Sequence, residues 1–250
     1  MMAKAEGIII RTTDYGESNK IVTLYTKEFG KIGLMARGAK KPKNPLSAAS
    51  QVLFYGLCLF SKGRGLGSLY QAETLNAFRA IREDIEKMGY AALILELTDR
   101  LTEDGQPSQG IYNLLCDTLL LMEKGTDPAV LSSIYALKMM PQAGIDPELT
   151  HCVHCGEKKD HYLFSVSEGG FLCSTCAKVD DYALVLSQAT QRLLPLIRSI
   201  PLDRLGKVSL KSKTIGEIES IIYAYYERNA GIKLRSRHFI EQLAKFRTNE

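Results

Sequence analysis

Lys20-Ile21-Val22-Thr23-Leu24-Tyr25-Thr26, a turn at Glu28-Phe29-Gly30, and Lys31-Ile32-Gly33-Leu34-Met35-Ala36-Arg37 read as two strands joined by a tight bend. β-Branched and aromatic residues crowd the first arm, and Gly30 supplies the bend. In the second arm a period of two sends Ile32, Leu34 and Ala36 to one face and Lys31, Gly33, Met35 and Arg37 to the other. An apolar underside with cations on top suits a binding platform. Upstream, Gly7-Ile8-Ile9-Ile10-Arg11 is a further strand. Downstream, residues 51–60 and 68–75 supply two more, joined by Ser61-Lys62-Gly63-Arg64-Gly65-Leu66-Gly67. Five short strands with no long helix between them predict a small closed barrel, for which the OB-fold is the commonest solution.

From Phe78 the apolar spacing changes to that of helices, over 87–103, 108–124 and 127–140. Gly105-Gln106-Pro107 and Gly125-Thr126-Asp127-Pro128 separate them, and Pro141 is expected to end or kink the third. Helices resume over 187–199, 211–229 and 236–247. Between the two helical runs stand Cys152-Val153-His154-Cys155 and Cys173-Ser174-Thr175-Cys176. This is zinc-ribbon spacing, and it predicts one structural Zn2+ held by Cys152, Cys155, Cys173 and Cys176. Metal also explains how a stretch with so small an apolar core stays folded. The rivals are a redox dithiol and two disulfides, but one CxxC suffices for redox work and nothing marks the chain as secreted. His151 and His154 border the first pair, yet four thiolates already close a tetrahedral site. Cys58 and Cys116 sit in apolar patterns and read as buried thiols.

The expected fold is therefore α+β: a five-stranded N-terminal OB-fold barrel, then an all-α body with an inserted four-cysteine zinc module. We divide it as 1–78 barrel, 79–150 first helical part, 151–180 zinc module and 181–250 second helical part.

Net charge is +4, unevenly spread. Residues 1–80 hold 12 Lys and Arg against 5 Asp and Glu, residues 81–150 hold 5 against 12, and residues 151–250 hold 15 against 11. A basic head suggests a polyanion partner. Its densest run is Arg37-Gly38-Ala39-Lys40-Lys41-Pro42-Lys43, placed on the barrel next to Lys31 and opposite the Lys62/Arg64 loop. Lys31, Arg37, Lys40, Lys41, Lys43 and Arg64 are the candidate phosphate contacts, bracketing a nucleic-acid backbone without reading bases. Tyr25, Phe54, Tyr55, Phe60 and Tyr70 are candidates to stack bases, and of the adjacent Phe54 and Tyr55 at most one is core and the other a candidate platform, although core packing is the more expected role of each. Tyr223, Tyr225 and Tyr226 read as interhelical packing. No Walker A sequence, deaminase signature or catalytic triad stands out, so no enzyme is expected. The start lacks an apolar leader and runs such as Leu119–Met122 are too short to span a bilayer, so cytosol is the expected compartment.

Gly7 through Val22, with Gly30-Lys31-Ile32, Ala36 through Pro42 and Gly63 through Gly67, resembles the opening of the bacterial RecO family of recombination mediators. The cysteine pairs, followed by a tail with Gly231-Ile232-Lys233-Leu234-Arg235-Ser236, resemble its zinc-bearing branch. Pro141 departs from the leucine-rich helix usual there. The resemblance implies binding to single- and double-stranded DNA, strand annealing, and action with RecR to help RecA displace single-strand-binding protein. It marks Arg37, Lys40 and Lys41 as DNA contacts and implies nucleoid association on DNA. Two other readings remain: a zinc-ribbon RNA-binding or transcription-related protein, and a metal-dependent hydrolase.

Overall fold

The computed structural model describes residues 2–63, 65–206 and 208–248, and in it the expected strands close into a barrel. Strands β1 (Met2–Tyr15), β2 (Asn19–Thr26), β3 (Gly30–Ala36), β4 (Tyr55–Ser61) and β5 (Gly67–Asn76) pair in the order β1-β2-β3-β5-β4, and β4 returns to β1. Only β3 and β5 run parallel, over Leu34, Met35 and Ala36 opposite Gly67, Ser68 and Leu69. This is the OB-fold topology. β1 is longer than Gly7–Arg11; a register shift between Ile9 and Arg11 bends it, so its first half meets β4 and its second half β2.

Ile32, Leu34 and Ala36 point inward as expected, joining Ala5, Ile9, Val22, Leu24, Cys58, Phe60 and Leu69 in the barrel core. Residues 51–54 are a turn and not a strand. Leu53 there has φ 65°, and the turn is tied to β1 by Leu53 N–H to Ile9 O and Ile9 N–H to Phe54 O, both 2.9 Å. Phe54 enters the core, but Tyr55 is no base platform: it stacks on Phe78 at 5.8 Å and donates its hydroxyl to Glu6. Glu6 also accepts from the Tyr112 hydroxyl at 2.9 Å.

The helices are α1 (Leu46–Ala49), α2 (Arg79–Arg82), α3 (Ile85–Leu101), α4 (Gln109–Glu123), α5 (Pro128–Met139), α6 (Gln188–Ser199), α7 (Ser212–Ala230) and α8 (Arg235–Thr248). The six expected helices all form, and side chains of Asp84, Ser108, Asp127 and Ser187 cap free backbone N–H groups at four of their starts. Pro141 ends α5 in a single 3-10 turn, Met140–Ala143. The short α1, which sends Leu46 and Ala49 into the barrel core, and α2 have no helical period to read.

Contacts group the chain into two compact units, Met1–Gly125 with Ser236–Glu250, and Thr126–Arg235. In the first, Ser236 donates through its N–H and hydroxyl to Glu96, fixing the start of α8 on α3, while Glu123 accepts from Ala80 and Ile81 N–H to cap α2. In the second, the Tyr226 hydroxyl of α7 donates to the Ala136 carbonyl of α5 at 2.7 Å. A ribbon of β6 (Tyr162–Ser165), β7 (Gly170–Cys173) and β8 (Leu184–Val185) lies against α7 through Phe164, whose ring centroid is 5.9 Å from that of Tyr225. Tyr226 thus packs between helices as expected, whereas Tyr225 packs on the ribbon. Cys58 and Cys116 are buried, and burial pushes both thiols up to about 12.

Gly30 combines φ +64° with a site where a Cβ would stand 2.2 Å from the Gln106 carbonyl oxygen. Gly30→Ala is expected to destabilise the protein by at least about 1–3 kcal/mol in urea denaturation. Gly110→Ala, inside α4 with open space around it, is expected to stabilise by about 0.5–1 kcal/mol.

Candidate nucleic-acid interface and metal centre

Four expected cations come together in one loop after β3. Gly38 N–H donates to Asn19 Oδ1 at 2.8 Å and Lys40 N–H to the Ser18 carbonyl at 2.9 Å, so the loop is pinned to the β1–β2 turn. Lys41 N–H closes on the Gly38 carbonyl, Asn44 Nδ2 reaches back to the Arg37 carbonyl, and Ala39 is buried beneath. Arg37, Lys40, Lys41 and Lys43 are exposed on this fixed frame. Lys40 pairs with Asp14 at 3.0 Å; among the described residues no acidic side chain pairs with Arg37, Lys41 or Lys43. A fixed loop loses little further backbone entropy on binding, which raises the worth of each phosphate contact.

Lys31 is not part of this cluster. It lies at the opposite end of β3 from Arg37, about 20 Å away at the rise of a strand. Its Nζ donates to the Asp99 carbonyl at 2.7 Å and stands 3.6 Å from the Asp99 carboxylate and 3.5 Å from that of Asp104. Only 11% of the side chain is exposed. The expected platform cation is instead met by acids at the end of α3, which the strand period alone does not disclose. Arg11 also pairs with Asp99, at 2.9 Å. Arg64 lies outside the described residues. Lys62, on the same β4–β5 connection, stands 5.1 Å over the Phe29 ring.

Of the other aromatics considered for stacking, Tyr25 and Phe60 are fully buried, and Tyr70 is half-exposed. Tyr15 is a face that strand patterning does not single out: it is exposed at the end of β1, opposite Asn19, beside the turn that holds the basic loop. Lys20, opposite Ala36, adds a cation near Arg37. The turn residues Gly16-Glu17-Ser18 are the available signal for both.

The four expected cysteines converge. Their sulfur atoms all lie within 4.8 Å of one another, and Cys155 Sγ is 3.9 Å from Cys173 Sγ. Four thiolates at Zn–S bond length around a tetrahedral ion stand about 3.8 Å apart, so the cage is of the size to hold one metal ion. The same 3.9 Å separation is far beyond a disulfide bond of about 2.05 Å. The turn after Cys152 closes through Gly156 N–H to the Cys152 carbonyl, and Cys173 N–H points at Cys152 Sγ at 3.4 Å. The Thr175 hydroxyl, 3.0 Å from Cys173 Sγ, leads the interactions that hold that thiol down at about 6. Burial works to raise Cys152, but backbone donors from Cys155, Cys173 and His154 hold it below its ordinary range. Cys176 is pushed up to about 12, first by the Cys173 sulfur beside it. A bound cation removes that conflict by deprotonating all four. His151 is turned away toward Glu148 and Thr150. The cage has almost no apolar core of its own beyond Leu172 with Val153, Tyr162 and Ala183.

Residues 1–78 match the family described as Recombination protein O N terminal, and residues 82–238 match Recombination protein O C terminal. The chain is 48% identical over 246 residues to DNA repair protein RecO of Bacillus mycoides, covering 98% of this chain and 99% of that one. It is 46% identical over 243 residues to that of Bacillus subtilis, covering 97% and 95%, and 45% identical over 243 residues to that of Halalkalibacterium halodurans, covering 97% and 96%.

With so little apolar support, the cage is expected to depend on a bound ion. Chelating the metal from the folded protein is expected to make amides of residues 152–176 exchange rapidly in hydrogen-exchange mass spectrometry, while β1–β5 keep their protection. Equal loss of protection in the barrel would contradict a local role for the metal.

Proposed function

The chain belongs to the RecO family of DNA repair proteins, and from that premise we propose that it is a recombination mediator without catalytic turnover. It binds single- and double-stranded DNA through sugar–phosphate contacts made by Arg37, Lys40, Lys41 and Lys43, and anneals complementary strands. With RecR it helps load RecA onto DNA covered by single-strand-binding protein, in the bacterial cytosol and on the nucleoid. The observation that carries this reading is the pinned loop of cations on an OB-fold barrel, three of them without an acidic partner among the described residues. Two DNA strands repel each other through their phosphates; a surface that neutralises several of them lowers the work of bringing complementary bases together. Tyr15 offers a stacking face next to the loop, a contact that every base can make.

The ion in the cysteine cage is Zn2+ on this reading, since an all-sulfur tetrahedral donor set favours it. Four sulfurs leave no coordination position for water or substrate, which supports a structural metal and speaks against a hydrolase. Cobalt substitution is expected to give the absorption of a closed tetrahedral four-thiolate centre; a spectrum with an oxygen donor and exchangeable water would revive the hydrolase reading.

Contact with five to eight phosphates predicts a log–log salt slope of about −3.5 to −5.6 for single strands. Lys41→Glu with Lys43→Glu is expected to weaken binding to all sequences alike and to flatten that slope by about 1.4. Tighter binding of RNA than of single-stranded DNA of equal length, or affinity indifferent to salt, would overturn the proposal.

A further inference from the structure

β3 pairs with β5 only from Leu34 onward, so the edge of its first half is left open. The connection between α3 and α4 fills part of that edge: Gly105 N–H donates to the Lys31 carbonyl at 2.8 Å, and Asp104 forms a parallel bridge with Lys31. What remains is a groove of about 450 Å³. Lys31, Gly33, Lys62, Leu66, Gly67 and Asp104 are among the residues that line it. Glycines on its walls let an extended backbone approach closely.

Arg11 and Lys31 face Asp99 and Asp104, two cations against two acids. Asp99 is committed: one carboxylate oxygen meets Arg11 at 2.9 Å, the other faces Lys31, and its carbonyl takes the short bond from Lys31 at 2.7 Å. Asp104 is not. Its side chain is 86% exposed, and its one charged partner among the described residues is Lys31, at a loose 3.5 Å. Swinging Asp104 into solvent costs little, because surface pairs of this kind are weak. It would leave the Lys31 ammonium facing the groove with N–H groups to offer.

We propose that the Asp104 carboxylate is a built-in stand-in for a nucleic-acid phosphate. It holds Lys31 in the free protein and is exchanged for a phosphate oxygen when a strand enters the groove. The inference rests on the reading of the barrel as a phosphate-backbone binder and adds a contact zone apart from the 37–43 loop. Exchange of one anion for another gives little net gain, so a short or isolated anion is rejected. A strand already held by the 37–43 loop presents its phosphates at high local concentration and displaces the carboxylate.

The test is fluorescence anisotropy of a labelled thymidine oligonucleotide with the full-length protein. Asp104→Asn is expected to bind about threefold to fivefold tighter at low salt, the gain shrinking as salt screens the pair. Asp117→Asn, the same charge change at an exposed position on α4, is expected to give well under half that gain. In a Lys31→Met background, which keeps the buried stem, Asp104→Asn is expected to give no more than Asp117→Asn does. Equal gains from Asp104→Asn and Asp117→Asn reduce the effect to net charge and overturn the inference; so does a gain above that of Asp117→Asn that survives Lys31→Met. If Lys31→Met does not fold, the slope decides: Asp104→Asn must steepen the log–log salt dependence by up to about 0.7, and an unchanged slope overturns the exchange. A wild-type protein that binds with the expected salt dependence while Asp104→Asn is silent sinks this inference alone. A wild-type protein that does not bind sinks the functional reading and this one with it.

Discussion

Barrel closure through three residue pairs is the constraint on which the rest of the first unit depends. Leu34, Met35 and Ala36 meet Gly67, Ser68 and Leu69 in the one parallel contact of the sheet. A Cβ at residue 67 would lie 2.2 Å from the Ser61 carbonyl oxygen and 2.8 Å from the Leu34 side chain, so only glycine allows the strands this close. Because the seam is short, the early part of β3 has no strand beside it. Backbone N–H and C=O groups cannot be left dry, and the α3–α4 connection supplies partners there. The same connection brings Asp104 to Lys31. At the far end of β3 the chain leaves the sheet at once and folds onto Ser18 and Asn19, which gives the basic loop its fixed shape. Electrostatics at both ends of β3 thus follow from where pairing stops.

The second unit solves a different problem. Its ribbon is too small to bury much apolar surface, and two means compensate. Four sulfur atoms converge at the loop end, and a ladder of rings (Tyr162 on Phe171 at 4.8 Å, Phe164 against Phe171 at 6.3 Å and against Tyr225 at 5.9 Å) fastens the other end to α7. Asp180 accepts from the hydroxyls of Ser165 and Ser167 and from the Tyr182 N–H, closing the path from the second cysteine pair back to β6.

Local period makes much of this fold legible. The alternation of Ile32, Leu34 and Ala36 identifies the inward face of β3, and apolar spacing places six helices close to where they form. Cysteine spacing names a metal-competent cage because ligand geometry leaves few arrangements for two CxxC turns. The failures share one cause. Lys31 has the alternation of an outward residue, but its partner Asp99 is 68 positions away, and no local pattern encodes which helix end will approach a strand. Strand parity alone misreads Tyr55, because Phe78, which stacks on it, follows β5 and is itself held at φ 46°. Residues 51–54 look like strand because the apolar run continues through them; the turn is dictated by bonds to Ile9, far upstream. Composition finds the basic loop, but its rigidity comes from Asn19, a polar residue with no distinguishing local signal.

Glu6 has a wider consequence. It takes hydroxyls from β4 and from α4 at once, and burial pushes both phenols, Tyr55 and Tyr112, above their ordinary range, so neither ionises to release it. A barrel severed from α4 would strand this acid without its Tyr112 donor. The point where the last strand ends is therefore not a self-sufficient boundary of the β-module. A graft of the module keeps the Glu6 pairing only if it carries α4 along.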